Sequence, residues 1–110
     1  MNDKVKLAQL QQVSQLILDI RLLALDKAFR ARQASLDHLA ELNRPQPPTD
    51  LSPIVAGEVA MRYQNWADQR RSAINLDLAR QTAEWAEAKH DAALAFGRNG
   101  VIGKLRDKGK

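Results

Sequence analysis

The sequence predicts an all-α fold: a long antiparallel coiled-coil hairpin of two helices, joined by a proline-rich turn. Apolar residues recur three and four apart from Leu7 to Leu42, and again from Ile54 to Phe96. The segment 44–53 between these stretches contains all four prolines of the chain. Hydrophobic residues make up 45% of the 110 residues and aromatic residues only 5%. That composition is typical of packed helices rather than of sheets, and the length fits one domain.

The first helix is expected over residues 3–43. Asn2 or Asp3 can cap its exposed amide groups, because short polar side chains accept hydrogen bonds from the first backbone N–H groups of a helix. Its end is expected near Asn43, because the residue before Pro45 is disfavoured in helical geometry.

The linker is expected over residues 44–52 and the second helix over residues 53–96. Pro47 and Pro48 favour an extended, stiff path. Ser52 is a suitable N-cap, and Pro53 is a suitable first helical residue because its missing N–H would have no helical partner there.

The second helix is expected to stop at Gly97-Arg98-Asn99-Gly100, since glycine and asparagine tolerate the left-handed backbone of a C-cap. Residues 1–97 then form the hairpin and residues 98–110 a basic C-terminal tail. A short helical turn is expected within that tail, where Val101, Ile102 and Leu105 give a small apolar face.

A tight turn at the linker predicts the pairing of the two helices. Facing residues should have numbers that add to about 96, which places Ile17 near Ala79 and Phe29 near Trp66. Both tryptophans then fall near the seam between the helices, and core packing is favoured for them over an exposed role.

Apolar residues between Leu16 and Leu25 spread around nearly the whole circumference of the first helix. One partner helix cannot cover them all, so we expect a second copy or another protein to pack there. An ordinary exposed leucine or two is the alternative. The expected contact patch consists of Leu16, Leu18, Leu22 and Leu23.

The formal net charge of +4 is concentrated at the end of the chain. Residues 98–110 contain five cations and one anion, whereas residues 1–97 are balanced. We expect these cations to contact an acidic partner surface, with a merely solubilising terminus as the alternative. The expected electrostatic contacts are Arg98, Lys104, Arg106, Lys108 and Lys110.

No catalytic, cofactor-binding or metal-binding residues are assigned, and the chain is not expected to be an enzyme. The absence of cysteine excludes thiolate chemistry and disulfides. Glu87 and His90 have a metal-bundle spacing, but the only matching pair, His38 and Glu41, is expected near the opposite end of the hairpin. Neither a signal peptide nor a membrane span is expected, which favours a cytoplasmic location.

The second helix resembles the FliJ family of flagellar export stalk proteins. The similarity rests on Tyr63-Gln64-Asn65-Trp66, Ile74, Trp85, Ala88-Lys89 and Leu94, followed by the basic tail. In the first helix Leu10, Val13, Ile17 and Leu25, followed by Lys27, Arg30 and Arg32, are compatible with it.

This resemblance implies a coiled-coil adaptor of a type III protein export apparatus. The end that carries the termini would enter the pore of a hexameric export ATPase, and the body would contact the export gate and substrate chaperones. Two alternatives stay open: a structural homodimer forming a four-helix bundle, and a nonspecific nucleic-acid binder acting through its tail.

Overall fold

The computed structural model describes residues 2–45 and 47–109 and contains two α-helices, α1 (Asn2–Leu42) and α2 (Pro53–Lys108). No strand occurs in these ranges. The predicted helical hairpin is confirmed, and the coiled-coil winding of its helices stays a prediction. The chain divides into two compact units. Unit 1 contains the chain up to Arg30 and from Ala83 onward, and unit 2 is Ala31–Thr82.

The inner face of α1 follows a narrow stripe along the helix. Its residues are three, four or seven positions apart, which keeps them on one side of an α-helix. Several of them are polar, so the stripe differs from the string of large aliphatic residues expected there. Its buried and half-buried members include Leu7, Gln11, Ser14, Leu18, Leu25, Ala28, Arg32, Ser35, Leu39 and Leu42.

The inner face of α2 alternates steps of three and four residues and is rich in small side chains. Alanine at such positions lets two helix backbones approach closely, because it adds little volume between them. Ala67, Ile74, Ala92 and Ala95 are buried. The full stripe is Ala67, Arg71, Ile74, Leu78, Gln81, Trp85, Ala88, Ala92, Ala95, Asn99 and Ile102.

The linker is a long extended connection rather than a tight turn. At its start, the Nε–H of Arg71 donates to the Asn43 side chain, so the end of α1 lies beside Arg71. At its finish, Ser52 caps α2 by accepting a hydrogen bond from the Val55 N–H. The stretch of α2 from Pro53 to Arg71 is about 27 Å long. The ten residue steps from Asn43 to Pro53 reach at most about 36 Å, so the connection has little slack.

The predicted pairing of the helices is therefore wrong by about 18 positions. In unit 2, Ser35 donates a hydrogen bond to Gln81 at 2.7 Å. In unit 1, Phe29 contacts Trp85 instead of Trp66, with ring centroids 6.4 Å apart. The numbers in these pairs add to 114–116 rather than to 96. The prediction assumed that the helices meet directly at the linker, whereas the linker shifts the end of α1 along α2.

The predicted end of the second helix at Phe96 is also wrong, because α2 continues through Gly97, Gly100 and Gly103 to Lys108. A left-handed cap needs positive φ, and no glycine in the described ranges has it. Helical glycine costs about 1 kcal/mol relative to alanine, which packing against the first turns of α1 can offset. Asn99 and Ile102, both beyond the expected end, are half-buried in that packing.

Arg71 of α2 closes the C-terminal end of α1, whose own last turn contains no basic residue. Its guanidinium donates to the Leu42 carbonyl oxygen at 3.3 Å and to Asn43 Oδ1 at 3.1 Å. It also pairs with Asp68 at 2.8 Å. A cation at this position satisfies a carbonyl without a helical partner and opposes the negative end of the helix dipole.

Replacing Gly97 by Ala should raise the free energy of unfolding by about 0.5–1 kcal/mol, because a helical glycine with open space at its Cβ position gains helix propensity. Gly57→Ala is the matched control: that glycine is also helical, with open space around it. Urea unfolding measures both variants. A destabilised Gly97→Ala beside a stabilised Gly57→Ala would contradict the continuous α2 helix.

Replacing Arg71 by Ala should lower the free energy of unfolding by about 1–3 kcal/mol, because charged hydrogen bonds to the end of α1 are lost. Arg80→Ala, at an exposed ion pair with Asp77 on the same helix, should cost less than about 1 kcal/mol. Equal losses in the two variants, measured by thermal and urea unfolding, would show that Arg71 has no special part in ending α1.

Candidate protein interaction surface

Unit 1 exposes a continuous set of large aliphatic side chains, here called the apolar side face. Its members on α1 recur at steps of three and four residues, so they form a stripe of their own beside the buried one. Ile20 is 62% exposed and Leu23 is 70% exposed. The apolar side face consists of Leu10, Val13, Leu16, Ile17, Ile20 and Leu23 of α1 with Leu94, Val101 and Leu105 of α2.

All members of this face except Leu16 and Leu23 lie on one flank of unit 1. Leu105 of α2 lines a shallow groove together with Asp3, Lys6 and Leu7 of α1. On α1, Leu10 and Ile17 follow Asp3 by two and four helical turns, and Val13 and Ile20 follow Lys6 likewise. On α2, Val101 and Leu94 precede Leu105 by one and three turns. The same turn spacing therefore keeps both sets on the flank marked by this groove.

The predicted leucine patch is divided by the structure. Leu16 and Leu23 form the outer edge of the apolar side face, and Leu16 also lines a separate shallow groove with Gln12 and Gln15. Leu22 is exposed but lines a different groove, together with Phe29 and Trp85. Leu18 is only 6% exposed and belongs to the inner stripe of α1, so it is not available on the free surface. Helical periodicity places Leu18 about a half-turn away from Leu16 and Leu23, which explains the separation.

The predicted pairing placed Ile17 in the seam between the helices, but Ile17 is exposed, as are Leu10, Val13 and Ile20 around it. The seam instead contains Gln11, Ser14 and other residues one position further along. The signal that could have found the true seam is the run of small residues on α2, Ala88, Ala92 and Ala95, whose spacing continues to Asn99 and Ile102.

A polar layer around Asn99 lies inside the seam of unit 1. Its Oδ1 accepts hydrogen bonds from the Gln11 amide and from the Ser14 hydroxyl, the latter at 2.9 Å. Its Nδ2–H donates to Gln15 Oε1 at 3.1 Å. Ser14 is buried, and Gln11 Oε1 is buried without a hydrogen-bond partner among the described residues. Such a layer penalises other registers, because a shifted helix would leave these groups unpaired.

An aromatic groove lies on unit 1 at a separate position. Lys89 places its Nζ 3.7 Å from the centre of the Trp85 ring, a cation–π contact. Trp85 also packs against Phe29, and Leu22, Leu25 and Asp26 complete the groove. The prediction that Trp85 packs near the seam fits this half-buried position. Trp66 differs, because it is 51% exposed and contacts Tyr63 in unit 2.

The predicted basic contact residues do not form a separate tail after α2, because the described ones belong to the helix itself. Arg98, Lys104, Arg106 and Lys108 are all exposed there, and Lys110 lies outside the described residues. Arg106 lines a groove with Lys4 of α1, which adds a cation that sequence reasoning did not assign. Arg106 and Lys108 also occupy the last turn of α2, where cations oppose the negative end of the helix dipole.

A second group of exposed apolar side chains lies at the start of α2 in unit 2. Ile54, Val59 and Met61 are all largely exposed there. The hydrogen bond from Arg71 to Asn43 places the end of α1 beside Arg71, ten positions after Met61 on α2. α1 therefore does not reach these side chains.

Comparison with protein-family models, curated proteins and solved structures finds no match to this chain. Among residues 2–45 and 47–109, no three histidine or carboxylate side chains are grouped so that they could hold a metal ion. Over the same ranges, neither helix has a stretch that is both long and apolar enough to cross a membrane.

Replacing Asn99 by Leu should destabilise the protein by about 1–3 kcal/mol, because the buried Ser14 hydroxyl and Gln11 amide lose their acceptor. The triple variant Gln11→Leu, Ser14→Ala, Asn99→Leu removes the whole layer and should recover most of that loss. Urea midpoints at unchanged slope provide the measurement. A single variant as stable as the original protein would show that the layer does not hold the register.

Proposed function

We propose that this chain is a non-enzymatic adaptor that binds other proteins through unit 1. The observation that carries the proposal is the apolar side face, whose nine large aliphatic side chains on the two helices of unit 1 are between 45% and 70% exposed. Exposed apolar surface larger than roughly 300–600 Å² is uncommon on monomers and marks interaction sites. Two antiparallel helices hold these side chains in fixed positions, as recognition of another helical surface requires.

The specific form that we propose is the stalk or coupling component of a cytoplasmic flagellar type III export apparatus. The support for it is the resemblance of the residues around Tyr63, Trp66, Trp85 and Leu94 to the FliJ family. The continuity of α2 to Lys108 adds to that support, because family members often keep this region helical. The partners would be the export ATPase, the export gate and substrate chaperones.

In this proposal the basic end of unit 1 contacts an acidic partner surface. Lys4 and Arg106 border one groove, and Lys104 and Lys108 stand on the same final turns of α2. Clustered cations accelerate the encounter with an acidic surface and make binding sensitive to salt. Apolar contact along the side face would then supply most of the lasting affinity.

The experiment measures binding of the purified chain to a purified export ATPase and the change in its hydrolysis rate. The variant Leu16→Asp, Leu23→Asp should weaken binding at least about tenfold, because desolvating an aspartate in an apolar contact is costly. The variant Arg106→Glu, Lys108→Glu should weaken binding mainly at low salt. Leu76→Asp, an exposed leucine of unit 2, is the matched control and should leave binding unchanged.

Absence of binding to the ATPase would remove the export stalk from the proposal. Equal loss of binding in Leu76→Asp and in the side-face variant would contradict the role of the apolar side face. Strong, salt-sensitive binding to duplex DNA that the charge-reversed variant abolishes would favour the nucleic-acid alternative instead.

A further inference from the structure

We propose that the partner seated on the apolar side face is a second copy of this chain, with α1 packed antiparallel against α1 of the other copy. This inference rests on the proposed function in taking the side face as an interaction surface, and a second copy seated there would compete with any other protein that binds the same face. In the proposed dimer, the two-fold axis passes between Leu16 and Ile17.

The α1 residues of the face are arranged symmetrically about that point. Leu10 would lie level with Leu23 of the partner copy, Val13 with Ile20, and Leu16 with Ile17, because each pair of numbers adds to 33. A two-fold interface requires this property, since a contact of residue i with residue j must recur as j with i. An aliphatic side chain meets another aliphatic side chain at every one of these levels.

The extent of the face matches what a stable dimer needs. Its six α1 side chains, between 45% and 70% exposed, present on the order of 600 Å² per copy. A symmetric pair would bury roughly 1,200 Å² in total, which is the lower end of the range for specific interfaces.

Charged residues bound the stripe at both ends and make the register testable. Lys6, Val13, Ile20 and Lys27 are seven residues apart, so they form one line along the centre of the contact. Lys6 would therefore lie level with Lys27 of the partner copy, and each dimer would contain this like-charge pair twice. One step outward, Asp3 would lie level with Arg30 of the partner and partly compensate.

The test is a charge exchange, measured by sedimentation equilibrium at low salt. Lys27→Glu turns both like-charge pairs into opposite-charge pairs and should lower the dimer dissociation constant about fivefold or more. Lys6→Glu should do the same. The double variant Lys6→Glu, Lys27→Glu restores like charges at both sites, so its dissociation constant should return to about that of the original chain.

Ile20→Asp should shift the chain to monomer, whereas Leu76→Asp is the matched control at an exposed site of unit 2 and should remain dimeric. Circular dichroism checks that every variant keeps its helical content. If the original chain and the Lys27→Glu variant are both monomeric at about 100 µM, the proposal is wrong. A double variant that dimerises more tightly than either single variant would overturn the register. Neither outcome prevents the ATPase from binding the same face. Failure of the dimer proposal is therefore distinguishable from failure of the adaptor proposal.

Discussion

The register between α1 and α2 is the constraint on which the rest of the structure depends. The linker determines it at one end, because its extended length offsets the end of α1 from the start of α2 by about 27 Å. Arg71 and Ser52 hold the two ends of that connection through hydrogen bonds to Asn43 and Val55. The polar layer around Asn99 enforces the same register in unit 1.

This register decides which side chains are buried and which remain exposed. The buried positions of the seam are mostly small or polar, such as Ala92, Ala95 and Ser14, and Leu18 and Ile74 are the buried large aliphatic residues of the described ranges. Six larger aliphatic side chains on the outside of α1 remain between 45% and 70% exposed. At about 1.5–3 kcal/mol for each large aliphatic side chain that becomes fully buried, this arrangement leaves substantial free energy for association. The fold of the single chain therefore leaves much of its hydrophobic driving force unused.

Much of the architecture was predictable from the sequence, because helix type follows from short-range periodicity. The beginnings of both helices and the end of α1 lie within one residue of their expected positions, since Pro45, Ser52 and Pro53 act locally. The end of α2 was not predictable in this way. Gly97 and Gly100 favour a cap locally, but packing of the following turns against α1 keeps them helical.

The candidate surface was harder to predict than the fold, because it depends on the register and not on periodicity alone. The error in register paired Phe29 with Trp66 instead of Trp85 and placed Ile17 in the seam, although Ile17 is exposed. Leu16 and Leu23 were correctly expected on the surface, since several faces of α1 between Leu16 and Leu25 are apolar. The polar seam was missed because glutamine, serine and asparagine give no periodic hydrophobic signal.

The two tryptophans lie in different units, and their surroundings differ. Trp85 has Lys89 above its ring and Phe29 beside it, whereas Trp66 is half-exposed next to Tyr63. Their emission spectra should consequently be distinct, and replacing one indole at a time by phenylalanine would give each half of the molecule its own optical reporter. Unfolding of one unit could then be followed without a signal from the other. Comparing the two unfolding curves would show whether the chain unfolds as a whole.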